Sequence, residues 1–230
     1  EAGSWALDPA RMAERITTRT RAVIVGHPFG HAADMDPILA LAAEHGLAVV
    51  EDVAEAPGAT YRGRALGTFG NASCYSFFAN KIMTTGEGGM VLCRDPELDN
   101  ALRVYRDHGM SRERRYVHEV VGFNYRMTNM QAAIGLAQLE RLDAILETRN
   151  VQAEHYRQRF EGCAKIAWRP CEDYCEPVHW LATITLAAEG LRDSLVEHLK
   201  DVGIDARQMV FPIHMAAPYR DGNDDADFPV

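Results

Sequence analysis

Between Arg21 and Val50 the chain spells out a strand, a helix and a second strand with short connections, and this order constrains the fold more than any other stretch. Arg21-Ala22-Val23-Ile24-Val25-Gly26 is an apolar run of strand length. Asp34 to His45 carries helical periodicity and stops at Gly46, a residue suited to the left-handed turn that closes a helix. Leu47-Ala48-Val49-Val50 is the next strand, and it ends in Glu51-Asp52. Such a unit crosses over right-handedly, so the two strands are expected to be parallel and covered by helices. In open α/β sheets a ligand sits beyond the carboxyl ends of strands. Asp52 stands at such an end, where it reads either as a turn or cap residue or as a functional acid.

A second constraint is a lysine set among apolar residues. The run Cys74 to Phe78 is β-prone and leads through Ala79-Asn80 to Lys81, which opens into the turn-rich Thr84-Thr85-Gly86-Glu87-Gly88-Gly89. Gly89-Met90-Val91-Leu92-Cys93 then reads as another buried strand. A lysine between buried strands is costly as an ammonium ion, and that cost is useful where a neutral amine must attack a carbonyl and form a Schiff base. The plainer reading is a lysine on a loop tip in water. The glycines do not make a dinucleotide fingerprint, because Val91 stands where the last glycine belongs. They predict a turn that lets the backbone pass close to the lysine.

The rest of the chain follows the same α/β grammar. Asp8-Pro9 caps a short helix to about Ile16, and Gly58 to Gly70 reads as a hairpin-like excursion. Asp95-Pro96 opens a helix with Leu98, Ala101, Leu102 and Tyr105 on one face. Residues 110–118 are charged and aperiodic, with Arg112, Arg114 and Arg115; they read equally as a solvated loop or as an arginine cluster for a diphosphate. Thr128 caps a long helix, broken or continuous, that reaches about Phe160, with Ala132, Ala133, Leu136, Leu139, Leu142, Ile145 and Leu146 as its buried face. Beyond it are expected strands near Ile166–Trp168, Trp180–Leu186 and Ile204–Arg207, a helix Leu191–Val202, and a mobile acidic tail from Asp221 to Asp227.

With 230 residues the chain can bury a real core. Its net charge of −9 argues against nucleic acid or an anionic membrane as partner. No apolar run reaches the length of a membrane span, and Glu1-Ala2-Gly3-Ser4 does not read as a signal peptide. Five irregularly spaced cysteines form no disulfide framework, which points to a reducing cytoplasm. Cys171-x3-Cys175 hints at a metal, but no second pair of ligands follows at finger spacing, and no metal site is expected.

Three blocks taken together resemble one family. Ser76-Phe77-Phe78-Ala79-Asn80-Lys81-Ile82-Met83-Thr84-Thr85-Gly86-Glu87-Gly88-Gly89-Met90 is similar to the cofactor-lysine segment of the DegT/DnrJ/EryC1/StrS sugar aminotransferases. Glu51-Asp52-Val53-Ala54-Glu55-Ala56 lies upstream in the expected place, and Gly122-Phe123-Asn124-Tyr125-Arg126-Met127-Thr128-Asn129-Met130-Gln131-Ala132-Ala133 lies downstream. The likeness runs from about Trp5 to Tyr219, and within the family it is nearest to the perosamine-synthase branch. It implies an α/β fold: a fold type I PLP-transferase large domain with a mainly parallel sheet over residues 1–146, then a connector helix and part of a small α+β C-terminal domain over 147–230. It also implies truncation at both ends, since relatives carry phosphate-holding and ring-stacking residues ahead of position 1 and continue past Val230.

The resemblance further implies pyridoxal 5'-phosphate (PLP) as cofactor, with Lys81 as its catalytic attachment point and proton carrier. Asp52 would face the ring nitrogen, Ala54 a ring face, Glu55 the ring hydroxyl, and Ser76 the phosphate. Asn124 would reach the phosphate of a neighbouring subunit, with Arg126 as the fallback, in a homodimer with shared sites. Arg115, Tyr116 and His214 would touch the substrate. The reaction implied moves an amino group from glutamate to a GDP-linked 4-keto-6-deoxy sugar. The alternatives are a dTDP- or UDP-linked keto-sugar, or a non-catalytic homologue acting as an interaction protein. Lys81 argues against the sugar dehydratase branch, which carries histidine there.

Overall fold

A computed structural model describes residues 4–188, 190–210 and 212–219. They form two compact units, described separately: the chain up to Tyr156 together with Pro170–Ala182, and Arg157–Arg169 together with the residues from Thr183 onward.

The first unit is built on a four-stranded sheet. Strands β1 (Ala22–Gly26), β2 (Ala48–Asp52), β5 (Ala72–Ser76) and β6 (Gly89–Cys93) lie side by side in that order. The first three are mutually parallel, as the strand–helix–strand order predicts, and β6 joins β5 antiparallel at the edge. Helix α2 (Met35–Glu44) makes the crossover from β1 to β2. Because side chains alternate along a strand, Val25 and Val49 point to one face, where they join Met35, Ile38 and Ala42 of α2 in a continuous core. Each such aliphatic side chain contributes roughly 1.5–3 kcal/mol when fully buried.

That covered face also holds a carboxylate. Glu51 is fully buried on β2, and its two oxygens accept the backbone N–H groups of Gly67, Phe69 and Gly70, each at 2.7 Å. His27 accepts the Ala33 N–H through Nδ1, which leaves its Nε2 proton facing Glu51 Oε2 at 3.4 Å. Burial alone raises the Glu51 pKa, but the His27 ring and the three backbone donors together outweigh it and bring the group below its ordinary value. Glu51 therefore ties the chain leading into β5 to the centre of the sheet.

The excursion after β2 is a hairpin, β3 (Thr60–Tyr61) with β4 (Arg64–Ala65), and β8 (Cys175–Glu176) adds to it as a third antiparallel strand. This pairing brings residues 170–182 back onto the first unit. Helices begin where capping side chains satisfy their first N–H groups. Asp8 accepts from Ala10 at 2.8 Å ahead of α1 (Pro9–Arg15), and Asp95 from Glu97 at 2.8 Å ahead of α3 (Pro96–Arg106). Thr128 and Gln131 form a reciprocal capping box for α4 (Asn129–Leu139). The long helix breaks after α4, where Glu140 and Arg141 both donate to the Gln138 carbonyl in a tighter turn, and resumes as α5 (Leu142–Phe160).

Two burial expectations fail here. β6 is a strand, but Met90, Val91 and Leu92 are 43–45% exposed, so Lys81 is not enclosed between two buried strands. The apolar face of α4 is likewise open, with Leu136 at 59% exposure, whereas Leu142, Ile145 and Leu146 of α5 do pack on the core. An apolar run identifies a strand or a helix face; it does not identify what lies opposite.

In the second unit β7 (Ile166–Trp168) pairs antiparallel with β9 (Ile184–Leu186), and α6 (Leu191–Asp201) follows. The expected strand from Trp180 begins only at Ile184, and residues 204–207 form no strand. Among the described residues no helix is long and apolar enough to cross a membrane. The acidic tail from Asp221 lies outside the described residues.

Candidate active site

The carboxyl ends of β2 and β5 bring the predicted residues together. Asp52 is the last residue of β2 and pairs in register with Cys74, two positions before Ser76 at the end of β5. In-register partners and residues two apart share a face, so Asp52, Cys74 and Ser76 all lie on the face opposite the α2 core. Asp52 Oδ1 accepts the Ala54 N–H at 3.0 Å, which orients the carboxylate, and Oδ2 makes no hydrogen bond among the described residues. Ser76 Oγ accepts the Phe78 N–H at 3.3 Å, which leaves its own proton for another acceptor.

Lys81 follows β5 in a loop closed by backbone bonds. Phe77 donates to Gly88, Thr85 to Phe77 and Lys81 to Phe78, at 2.9, 2.9 and 3.0 Å. The glycines of this loop do permit a close approach, but to Thr85 and Met127 rather than to the lysine: a Cβ on Gly88 would stand 2.6 Å from each. The Lys81 side chain is only 11% exposed. Its Nζ lies 3.6 Å from Glu55 Oε1 and 3.8 Å from the centre of the Trp180 ring. Both partners are themselves held. Glu55 Oε2 accepts the Phe29 N–H at 2.7 Å, and Trp180 Nε1 donates to the Asn80 carbonyl at 2.7 Å.

The chain places Trp180 there through a close backbone contact. Val178 N–H donates to the Gly30 carbonyl at 3.0 Å, and a Cβ on Gly30 would stand 1.8 Å from the Val178 oxygen. Gly30 also has φ +83°, a conformation that side chains disfavour. Phe29 beside it takes φ 53°, stacks on Trp180 at 6.2 Å and meets the edge of Trp5 at 5.8 Å. The sequence did not point to Trp180 or Phe29, since each lies dozens of residues from Lys81 and neither belongs to a local pattern.

Arg115, Tyr116 and Asn124 make no hydrogen bond or ion pair with Lys81 among the described residues. Arg114 and Arg115 are exposed, and Arg115 lies 5.1 Å from the ring of Tyr116, itself exposed at φ 65°. Asn124 is exposed and bridges through its backbone to Asp107, whose carboxylate takes the Arg126 guanidinium at 3.2 Å. His214 falls in a short 3-10 turn, Ile213–Met215, and its side chain lies outside the described residues.

A largely buried lysine in the loop after a parallel strand, with a serine at that strand's end and a carboxylate at the end of its neighbour, could hold a carbonyl cofactor that carries a phosphate. The model of the DegT/DnrJ/EryC1/StrS aminotransferase family matches residues 1–230. The chain belongs to this family. DegT/DnrJ/EryC1/StrS proteins use pyridoxal phosphate. Among them, the GDP-perosamine synthase of Caulobacter vibrioides is 45% identical over 217 residues, covering 93% of this chain and 58% of that protein. The dTDP-3-amino-3,4,6-trideoxy-alpha-D-glucose transaminase of Streptomyces venezuelae is 39% identical over 215 residues, covering 93% and 55%. In structure, DesV of S. venezuelae in complex with a ketimine intermediate matches with a TM-score of 0.87 at 38% identity, covering 96% of this chain and 58% of that one. The chain thus spans between 55 and 58% of the length of these family members.

Proposed function

We propose that this chain carries the cofactor lysine of a PLP-dependent aminotransferase that transfers the amino group of glutamate to a GDP-linked 4-keto-6-deoxy sugar. The observation that carries the reading is Lys81, held by Glu55 and Trp180 beside the carboxyl ends of the strands that bear Asp52 and Ser76. The residues present fit the cofactor: Asp52 has an oxygen to offer, Ser76 a proton, and Lys81 an amine at fixed position.

Bound here, pyridoxal phosphate supplies a carbonyl for the amine and a pyridinium electron sink. Lys81 Nζ would be the attachment atom, and its amine would serve as the base and acid that moves the substrate proton. Glu55 and Trp180 keep that nitrogen in place, so each return of the proton starts from the same position. Asp52 would hold a proton on the ring nitrogen, and its bond from Ala54 keeps the carboxylate aimed outward from the strand. Ser76 Oγ would donate to the phosphate, and Ala54 would pack on a ring face.

The sugar assignment rests on the likeness to GDP-perosamine synthase, which exceeds that to the dTDP-sugar transaminase. The latter supports a second reading, a dTDP-linked keto-sugar. We assign Arg115, Tyr116 and His214 to substrate binding. We assign the active enzyme as a homodimer in which Asn124 reaches the partner's cofactor phosphate. The segment around Asn124 supports this, since Val121 is 88% exposed and Phe123, Tyr125 and Met130 are exposed with it.

Borohydride reduction of the intact enzyme followed by peptide mass spectrometry is expected to find a phosphopyridoxyl group on Lys81. An adduct on any other lysine overturns the site. Supplying glutamate with GDP-, dTDP- and UDP-linked keto-sugars and following 2-oxoglutarate is expected to favour the GDP sugar. A wide margin for another nucleotide overturns the sugar while leaving the chemistry in place.

A further inference from the structure

Behind the Lys81 site, on the same compact unit, three soft-metal donors converge from two distant stretches. The side-chain ligand atoms of His31, Cys171 and Cys175 all lie within 4.8 Å of one another. His31 follows the turn at Gly30; Cys171 lies in the loop that enters β8, and Cys175 is the first residue of that strand. We propose that His31, Cys171 and Cys175 form a zinc site, which clamps the 171–175 loop to the turn at residues 27–31.

The donor set and its surroundings match this chemistry. Two thiolates with one imidazole select Zn²⁺ over the hard cations, which take oxygen ligands. His31 Nδ1 lies 2.7 Å from the Ala32 carbonyl, so it carries the proton and Nε2 presents a lone pair. A histidine whose other nitrogen is fixed on a backbone carbonyl is the usual arrangement of a zinc ligand. At present that lone pair accepts the Glu172 N–H at 3.2 Å, which puts Nε2 on the side of the cysteine loop. Cys175 Sγ accepts the Ala32 N–H at 3.2 Å, a contact that stabilises a thiolate. Cys171 Sγ lies 3.3 Å from the Cys175 carbonyl, folded inward over the loop.

His31 and Cys175 are buried and Cys171 is exposed, so the metal has an entry path and a fourth position for water on the Cys171 side. Zinc–sulfur and zinc–nitrogen bonds of about 2.3 and 2.0 Å need the ligand atoms closer to one another than the outer limit of 4.8 Å, and rotation of the exposed Cys171 side chain makes that adjustment. Binding is balanced by release of the two thiol protons to solvent, which makes it tighter as pH rises.

The clamp bears on the reaction centre through the chain that follows β8. Val178 is hydrogen-bonded to Gly30, the residue before His31, and Trp180 two positions on lies over Lys81. Zinc would therefore fix the two segments that meet behind the lysine.

The test uses the protein purified under reducing conditions, with Zn²⁺ and Co²⁺ as probes. One zinc per chain is expected by elemental analysis, and Co²⁺ is expected to give a sulfur-to-cobalt charge-transfer band with tetrahedral visible absorption. Both should be lost in Cys171→Ser, whose exposed position leaves folding intact, and both should persist in Cys163→Ser, an exposed cysteine elsewhere. A rise in the thermal midpoint on adding Zn²⁺, absent in Cys171→Ser, is the second expected readout. No charge-transfer band, or a band that survives Cys171→Ser, overturns the proposal. So does a Cys171–Cys175 disulfide that forms equally well with Zn²⁺ present, since bound thiolates resist oxidation.

Discussion

Lys81 Nζ sits 3.8 Å from the centre of the Trp180 ring, although the two residues are 99 positions apart in the chain. A cation over an indole face gains about 0.5–2 kcal/mol, with the upper end reached where water is excluded. Trp180 is buried and its Nε1 is committed to Asn80, the residue beside Lys81. The ring is therefore fixed to the loop that carries the lysine, and it acts as a positioning residue.

Trp180→Leu should lower kcat/KM in the intact enzyme by 10- to 100-fold, about 1.4–2.7 kcal/mol of transition-state stabilisation. Trp180→Phe keeps a ring face and should fall between that variant and the parent. Since Trp180 also belongs to the core, thermal midpoints are measured alongside. Turnover of Trp180→Leu equal to the parent would sink the positioning role.

Asp52→Asn separates cofactor binding from catalysis. The amide keeps the size of the carboxylate and can keep the bond from Ala54, but it does not hold the ring nitrogen protonated. Turnover should fall by two to four powers of ten, about 3–5 kcal/mol, while the absorbance of bound cofactor changes little. Equal loss of cofactor and turnover would make Asp52 a binding residue only.

The parallel β1–α2–β2 unit was legible because period and end signals agree over Arg21 to Asp52, and local rules decide such units. The placement of Asp52 and Ser76 at strand ends and of Lys81 in the loop after β5 was legible because the sequence marks both strands. Glu55, expected at the ring hydroxyl, has its carboxylate beside Lys81 and the Phe29 N–H. Burial was misread at β6 and α4, since exposure depends on neighbours that no single segment specifies. Trp180 and the His31–Cys171–Cys175 cluster arise from long-range pairing through β8, and a spacing rule does not see a ligand supplied from 140 positions away. Glu51 and Asp52 end the same strand, and its alternation turns one carboxylate into the core and the other outward.

Gly30→Ala tests the backbone contact behind the site. At φ +83° an alanine costs about 1–2 kcal/mol from the left-handed conformation alone. Its Cβ would also collide with the Val178 oxygen, so the segment leading to Trp180 must move. Loss of more than about 2 kcal/mol is expected, together with a change in intrinsic tryptophan fluorescence. Gly46→Ala is the control: φ is +62° but nothing lies within 4 Å of the added carbon. It should cost only about 1–2 kcal/mol and leave the fluorescence unchanged. Equal losses in the two variants would remove the steric account.

Glu51 makes acid stability a readout of the core. Its folded pKa lies below the ordinary value of 4.5, so its contribution is fully present above that value. As pH falls below about 4.5 the unfolded chain takes up the proton first, and the contribution is lost as pH falls through the folded pKa. Glu51→Gln keeps one carbonyl oxygen for the N–H groups of Gly67, Phe69 and Gly70 but turns an NH₂ group toward donors. At neutral pH it should cost about 3 kcal/mol, the scale for breaking a buried charged hydrogen-bond set. Urea unfolding of parent and variant at a series of pH values should then show the gap narrowing only below about 4.5. A gap that stays constant down to about pH 3, or one that widens there, would mean that the ionised carboxylate is not what holds Gly67–Gly70 to the sheet.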